Sequence, residues 1–119
     1  MAVDQAAVDR VRDVLLPLAA ASGADCEEKR MFGSLCFMVG GSMCCCVNKD
    51  RLLVRVGRDG IEQALSEANV EPMEMGGRQM SGFVLVAPEG FATTASLRKW
   101  VRRGMAAADA ANPPPGQVR

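Results

Sequence analysis

Five cysteines are the residues in this chain whose type and spacing could most directly do chemistry, and three of them, Cys44, Cys45 and Cys46, are contiguous, with Cys36 and Cys26 upstream. Thiolates are soft ligands for Zn²⁺ or Cu⁺ and are the nucleophiles of disulfide exchange, so a thiol-based redox or metal sensor is one class to weigh. The spacing favours packing instead. Successive strand side chains point to opposite faces, so three adjacent cysteines cannot surround one tetrahedral ion, and the two-residue spacer of common zinc motifs is missing. Free cysteine also behaves as a small buried hydrophobe. An odd count with no secretory pattern ahead of it predicts reduced thiols, no metal and no cofactor.

The chain contains no histidine, which removes the usual general base of serine and cysteine hydrolases and the commonest metal ligand. Ser34, Ser42, Ser66, Ser81 and Ser96 have no lysine at a spacing that would replace it, so no catalytic residue is assigned and the chain reads as a non-enzyme. Gly57-Arg58-Asp59-Gly60 and Gly76-Gly77-Arg78 lack the spacing and the Lys-Ser/Thr of a phosphate loop. Arg98, Lys99, Arg102 and Arg103 crowd into six positions and are the candidate nucleic-acid contacts. Against that reading, 14 basic and 14 acidic residues leave no net positive field, and a solvated helix face is the simpler account. Met73, Met75 and Met80 flank Gly76-Gly77 and could form a pliable partner-binding tip, although ordinary packing at a sheet edge is favoured.

These residues have to be positioned by the stretch from Met31 to Val56, which reads as a three-stranded antiparallel meander. Gly40-Gly41 can take the positive φ angles of a two-residue hairpin turn, and Asn48-Lys49-Asp50-Arg51 returns the chain into Leu52 to Val56. Counting back from Gly40-Gly41 pairs Val39 with Ser42, Met38 with Met43, Phe37 with Cys44, Cys36 with Cys45 and Leu35 with Cys46. Cys36 and Cys45 would then share a face, able to form a disulfide under oxidation but reduced in the cell. Leu52, Val54 and Val56 fall beside Val47, Cys45 and Met43 to form the predicted core face. The opposite face, with Leu35, Phe37, Val39, Cys44, Cys46 and Leu53, is too apolar to be wet and predicts cover by a helix or a second copy.

Asp4 is placed to cap a first helix carrying Val8, Val11, Leu15 and Leu18 on one stripe, which Pro17 should kink or end near Leu16. The polar run from Asp25 to Arg30 leads into the meander. Asp59 should cap a crossover helix with Ile61, Ala64, Leu65 and Ala68 inward and Asn69 as a left-handed stop. Val70 to Met75, broken by Pro72, suits an edge strand, and Met80 to Ala87 is a clear strand. Thr94 should cap a final helix from about Ala95 to Ala111, whose Leu97, Trp100, Val101, Gly104, Met105 and Ala108 follow a helical period. The fold class is therefore α+β: one domain over residues 1–112, with an antiparallel sheet of four to five strands, an N-terminal helix, a crossover helix and a C-terminal helix. Residues 113–119 form a Pro-rich disordered tail. No apolar run approaches the roughly 20 residues of a membrane span, and the expected location is the cytoplasm.

Lys29-Arg30-Met31-Phe32-Gly33, followed by Phe37, Gly41, Met43 and Val47, then Asp50-Arg51-Leu52 and Val54-Arg55-Val56, resembles the TfoX N-terminal domain family. Glu71-Pro72, Gly77-Arg78-Gln79-Met80, Val84-Leu85-Val86-Ala87-Pro88-Glu89 and Leu97-Arg98-Lys99-Trp100-Val101 continue the likeness, over about residues 15 to 110. The resemblance implies a small α+β domain of regulatory, not catalytic, association. Full-length members carry a second, helical domain and act in transcription regulation of bacterial DNA-uptake competence alongside a catabolite-responsive activator. Ser34 departs from the second glycine common after Met-Phe-Gly, and Cys44 stands where the family often has an aromatic. Together the readings predict a regulatory or interaction module that binds a protein partner, or itself as a homodimer, through an apolar sheet face or through Arg30, Met31, Phe32 and Gly33. A nucleic-acid-binding regulator is the alternative, and no membrane is involved.

Overall fold

The computed structural model describes residues 3–31, 33–75 and 77–111. Within them, α1 (Gln5–Ala21) precedes β1 (Cys26–Met31), β2 (Ser34–Val39), β3 (Ser42–Asn48) and β4 (Arg51–Arg55). Then follow α2 (Ile61–Leu65), β5 (Val70–Met75), β6 (Arg78–Val86), a 3₁₀ turn at Pro88–Phe91 and α3 (Thr94–Ala111). The fold class is α+β as expected, but the antiparallel sheet has six strands in the order β1-β2-β3-β4-β6-β5 instead of four to five. The additional strand is β1, which pairs along its length with β2 from Cys26 opposite Val39 to Met31 opposite Ser34. Its Glu27-Glu28-Lys29-Arg30 core hides its strand character, because an edge strand paired on one side only can carry charge on both faces.

The turn at Gly40-Gly41 has φ of 62° and 90°, and Val39 faces Ser42 and Met38 faces Met43 as predicted. The register then slips: Phe37 faces Cys45, Cys36 faces Cys46 and Leu35 faces Val47, with Cys44 as the extra residue of a β-bulge. One inserted residue exchanges the faces of everything beyond it. The two predicted faces are corrected accordingly. Leu35, Phe37 and Val39 lie on the same side as Cys45, Val47, Leu52 and Val54, and this side is the main core. The bulge also turns Cys44 to that side, so the adjacent Cys44 and Cys45 share a face.

Helices α1 and α3 pack on each other over this side, contributing Val8, Val11, Leu15, Leu97, Trp100 and Val101, all fully or almost fully buried. Asp4 caps α1, its Oδ1 accepting the Ala6 N–H at 3.1 Å. Pro17 does not end the assigned helix, which continues to Ala21; it sits on the wet side, where the backbone groups it disrupts can meet water. Gly60, not Asp59, precedes the short α2, without a side-chain cap. Asn69 takes the expected left-handed conformation, φ 68°, but in the turn into β5 beyond the helix end. The cap of α3 is Thr93, not Thr94. Its Oγ1 accepts the Ser96 N–H at 3.0 Å while Ser96 Oγ accepts the Thr93 N–H at 3.2 Å, a reciprocal pair that needs a hydroxyl three residues along. The expected tail over residues 113–119 lies outside the described residues. No helix among the described residues is long and apolar enough to cross a membrane.

Candidate interaction face

The second face of the sheet carries its own apolar cluster: Cys36, Cys46 and Leu53 are buried at its centre, with Met31, Met38, Met43, Met73, Phe83 and Leu85 partly buried around them. No helical residue joins this cluster among the described residues, since the helices pack into the other one. The face follows from alternation. With one side of each strand committed to α1, α2 and α3, the intervening residues point away, and these are sulfur-bearing or apolar instead of charged.

Charge is confined to the rim. Glu27 and Lys29 alternate with Met31 on β1, and Arg51 of β4 pairs with Glu71 of β5 at 3.6 Å. Arg55 Nε donates to the Met43 carbonyl at 2.6 Å, and its guanidinium lies 4.9 Å from the Phe83 ring centre. Asn48 Nδ2 donates to Ser34 Oγ at 2.7 Å. An apolar centre inside a polar border is the anatomy of a protein interface. The two sheet edges are guarded, β1 by its charges and β5 by Pro72.

At the centre of the face, Cys36 and Cys46 stand opposite one another with Cα atoms 4.0 Å apart and their Sγ atoms joined as a disulfide. This corrects the predicted Cys36–Cys45 pairing and the expectation that all thiols are reduced. The signal that was missed is the Cys44 bulge. Met43 Sδ touches Cys46 Sγ at 3.3 Å. The remaining cysteines are free. Cys45 is pushed well above the usual thiol range by its hydrogen bond with Cys44 and by burial, and Cys26 is raised by burial and by Cys44 and Glu28. Neither favours the reactive thiolate. Among the described residues no three Cys, Asp or Glu side chains come together as a metal-holding group.

Of the motif residues read as a partner surface, Met31 joins the apolar face, and Arg30 is exposed opposite Leu35, which belongs to the helix-side core. Gly33 forms the β1–β2 turn at φ 76°, and Phe32 lies outside the described residues. Gly76 and the side chains of Met75 and Met80 also lie outside what is described, while Met73 packs at the border of the face. The basic set on α3 is divided. Lys99 Nζ and Arg103 Nη1 are bound to Glu67 at 3.0 and 2.6 Å, and Lys99 Nζ and Arg103 Cζ lie 5.3 and 4.4 Å from the Trp100 ring centre. Arg98 and Arg102 are exposed and make no ion pair among the described residues. Burial alone would raise the Glu67 carboxyl, but Arg103 and Lys99 outweigh it and hold the group below the usual range.

No curated protein and no solved structure matches the chain. The model of the TfoX N-terminal domain matches residues 18–108, from the last turn of α1 through the whole sheet to α3, so the chain belongs to the TfoX N-terminal domain family.

Proposed function

We propose that this chain is a non-enzymatic interaction module that pairs with a second copy of itself, sheet face to sheet face. The observation that carries the reading is the apolar face centred on Cys36, Cys46 and Leu53, onto which no described helix packs. Six strands about 4.8 Å apart, each about six residues long, make a face of about 500 Å² per copy. A face-to-face pair then removes about 1,000 Å² from water, the lower end for a specific interface. Met31, Met38, Met43 and Met73 can repack against an identical surface, and a two-fold axis sets the patch against itself. The rim carries both signs and the chain is neutral overall, so two copies meet without net repulsion. The guarded edges disfavour strand-to-strand pairing, which leaves packing of the faces.

A regulatory setting is supported by family membership, and a non-catalytic one by a sequence without histidine to activate its serines and thiols. We place the module in the cytoplasm, supported by its mixed composition and short apolar runs. Methionine-methyl NMR tests the pairing on the intact chain. Dilution from high to low micromolar concentration should shift Met31, Met38, Met43 and Met73 and leave Met105, on α3, in place. Spectra independent of concentration would overturn it.

A further inference from the structure

We infer that Cys36, Cys46 and Met43 form a binding site for a soft monovalent metal ion of the copper(I) class. Three sulfurs converge there. Cys36 and Cys46 are register partners 4.0 Å apart at Cα, and Met43 Sδ lies 3.3 Å from Cys46 Sγ. Three sulfurs around one ion at about 2.3 Å each stand about 4.0 Å apart, so Met43 Sδ and Cys46 Sγ part by about 0.7 Å, and the Cys36 and Cys46 sulfurs move apart once their bond is broken. Thiolate and thioether donors select copper(I) over hard cations. Zn²⁺ asks for four ligands, and the other cysteines pack with the helix-side core instead of this face.

The surroundings suit the ion. Cys36 is 2% exposed and Cys46 0%, so water is kept from the centre. A copper(I) ion held by two thiolates carries one negative charge, and Arg55 places a cation on the Met43 carbonyl, at the residue that supplies the thioether. The disulfide and the metal exclude each other. A small thiol reduces the Cys36–Cys46 bond: two electrons and two protons enter, the S–S bond breaks, and two molecules of the small thiol become their own disulfide. Copper(I) then displaces the two thiol protons to solvent and forms two S–Cu bonds, with Met43 Sδ as the third donor and no change in oxidation state.

The test is anaerobic competition for copper(I) against a colorimetric chelator, using the full chain reduced with a small thiol and freed of it by gel filtration. One ion per chain is expected. Cys36→Ser and Cys46→Ser should abolish tight binding, and Met43→Leu should weaken it at least about tenfold, since loss of even an outer-shell partner lowers metal affinity about 10–100-fold. Cys44→Ser and Cys45→Ser should bind as the parent does. A second measurement needs no substitution: the parent chain oxidised to the Cys36–Cys46 disulfide, verified by mass, should bind none. No competition by the reduced chain, equal binding by the oxidised chain, or binding that follows Cys44 and Cys45 would each overturn the assignment.

Discussion

Gly104 of α3 rests directly on Cys44 of β3: a β-carbon at Gly104 would stand 2.6 Å from the Cys44 carbonyl oxygen and 2.9 Å from its Sγ. The helix therefore crosses the sheet at backbone contact, over the bulge that turns Cys44 toward it. Cys44 Sγ in turn lies 3.7 Å from the Val101 carbonyl oxygen, one turn earlier in α3.

Gly104→Ala should therefore destabilise the domain, although alanine is the better helix former. Overpacking costs about 1–3 kcal/mol, whereas the gain in helix propensity is about 1 kcal/mol. A net loss of up to about 2 kcal/mol is expected in urea unfolding. The exposed Ala106 supplies the control, because Ala106→Gly should lose about 1 kcal/mol from propensity alone. A stabilised Gly104→Ala variant would show that α3 does not lie this close.

Glu67→Gln should flatten the acid limb of the stability profile. The Glu67 carboxyl is held below its unfolded value of about 4.3 by Arg103 and Lys99, which outweigh its burial. Its contribution is therefore complete above that value and disappears as pH falls through the folded one. Glu28, lowered by its hydrogen bonds from Arg12, adds a second contribution of the same sign. Thermal midpoints between neutral pH and about pH 3 should converge for parent and variant as the pH falls, with the variant weaker by up to about 1 kcal/mol at neutrality. Parallel curves would mean that Glu67 is not tied to α3 in solution.

The division of the basic residues on α3 predicts unequal effects. Arg98→Ala and Arg102→Ala should change stability by less than about 0.5 kcal/mol, as exposed substitutions do. Arg103→Ala removes a charged hydrogen bond to Glu67 and the contact with Trp100, and should lose about 1–3 kcal/mol in the same urea assay. Duplex DNA gives the functional counterpart. The parent and an Arg98→Ala, Arg102→Ala double variant should be equally indifferent to it at low salt. Steeply salt-dependent binding that the double variant loses would instead favour the nucleic-acid reading.

The sequence declares α3 openly, because Leu97, Trp100, Val101, Gly104, Met105 and Ala108 repeat at helical spacing and all but the half-buried Met105 are buried. The hairpin turn was equally legible, since a Gly-Gly pair between apolar runs has few other uses. Cys44 was not. A bulge leaves no mark in hydrophobic patterning when the residues on both sides of it are apolar, and one undetected insertion assigned Phe37 to the wrong face and Cys36 to the wrong partner. β1 escaped because strand signals rest on burial, and its central four residues are exposed. The apolar surplus of the meander was readable as a surface needing cover, but its composition, with Met38 and Cys36 in place of Phe37 and Leu35, emerged only with the register. Two basic residues also looked free on α3 because their acidic partner, Glu67, is more than 30 positions away in sequence.

Sedimentation equilibrium of the parent chain beside a Leu85→Lys variant is the most direct test of the central claim, that the sheet face opposite the helices is where two copies meet. Leu85 lies on that face and is only partly buried, so a lysine there can keep its ammonium in water in the monomer but not inside a paired interface. The parent should show a reversible monomer–dimer equilibrium in the micromolar range and the variant a folded monomer throughout, with circular dichroism confirming the fold. A parent that stays strictly monomeric at high micromolar concentration, or a variant that dimerises as well as the parent, would contradict the claim.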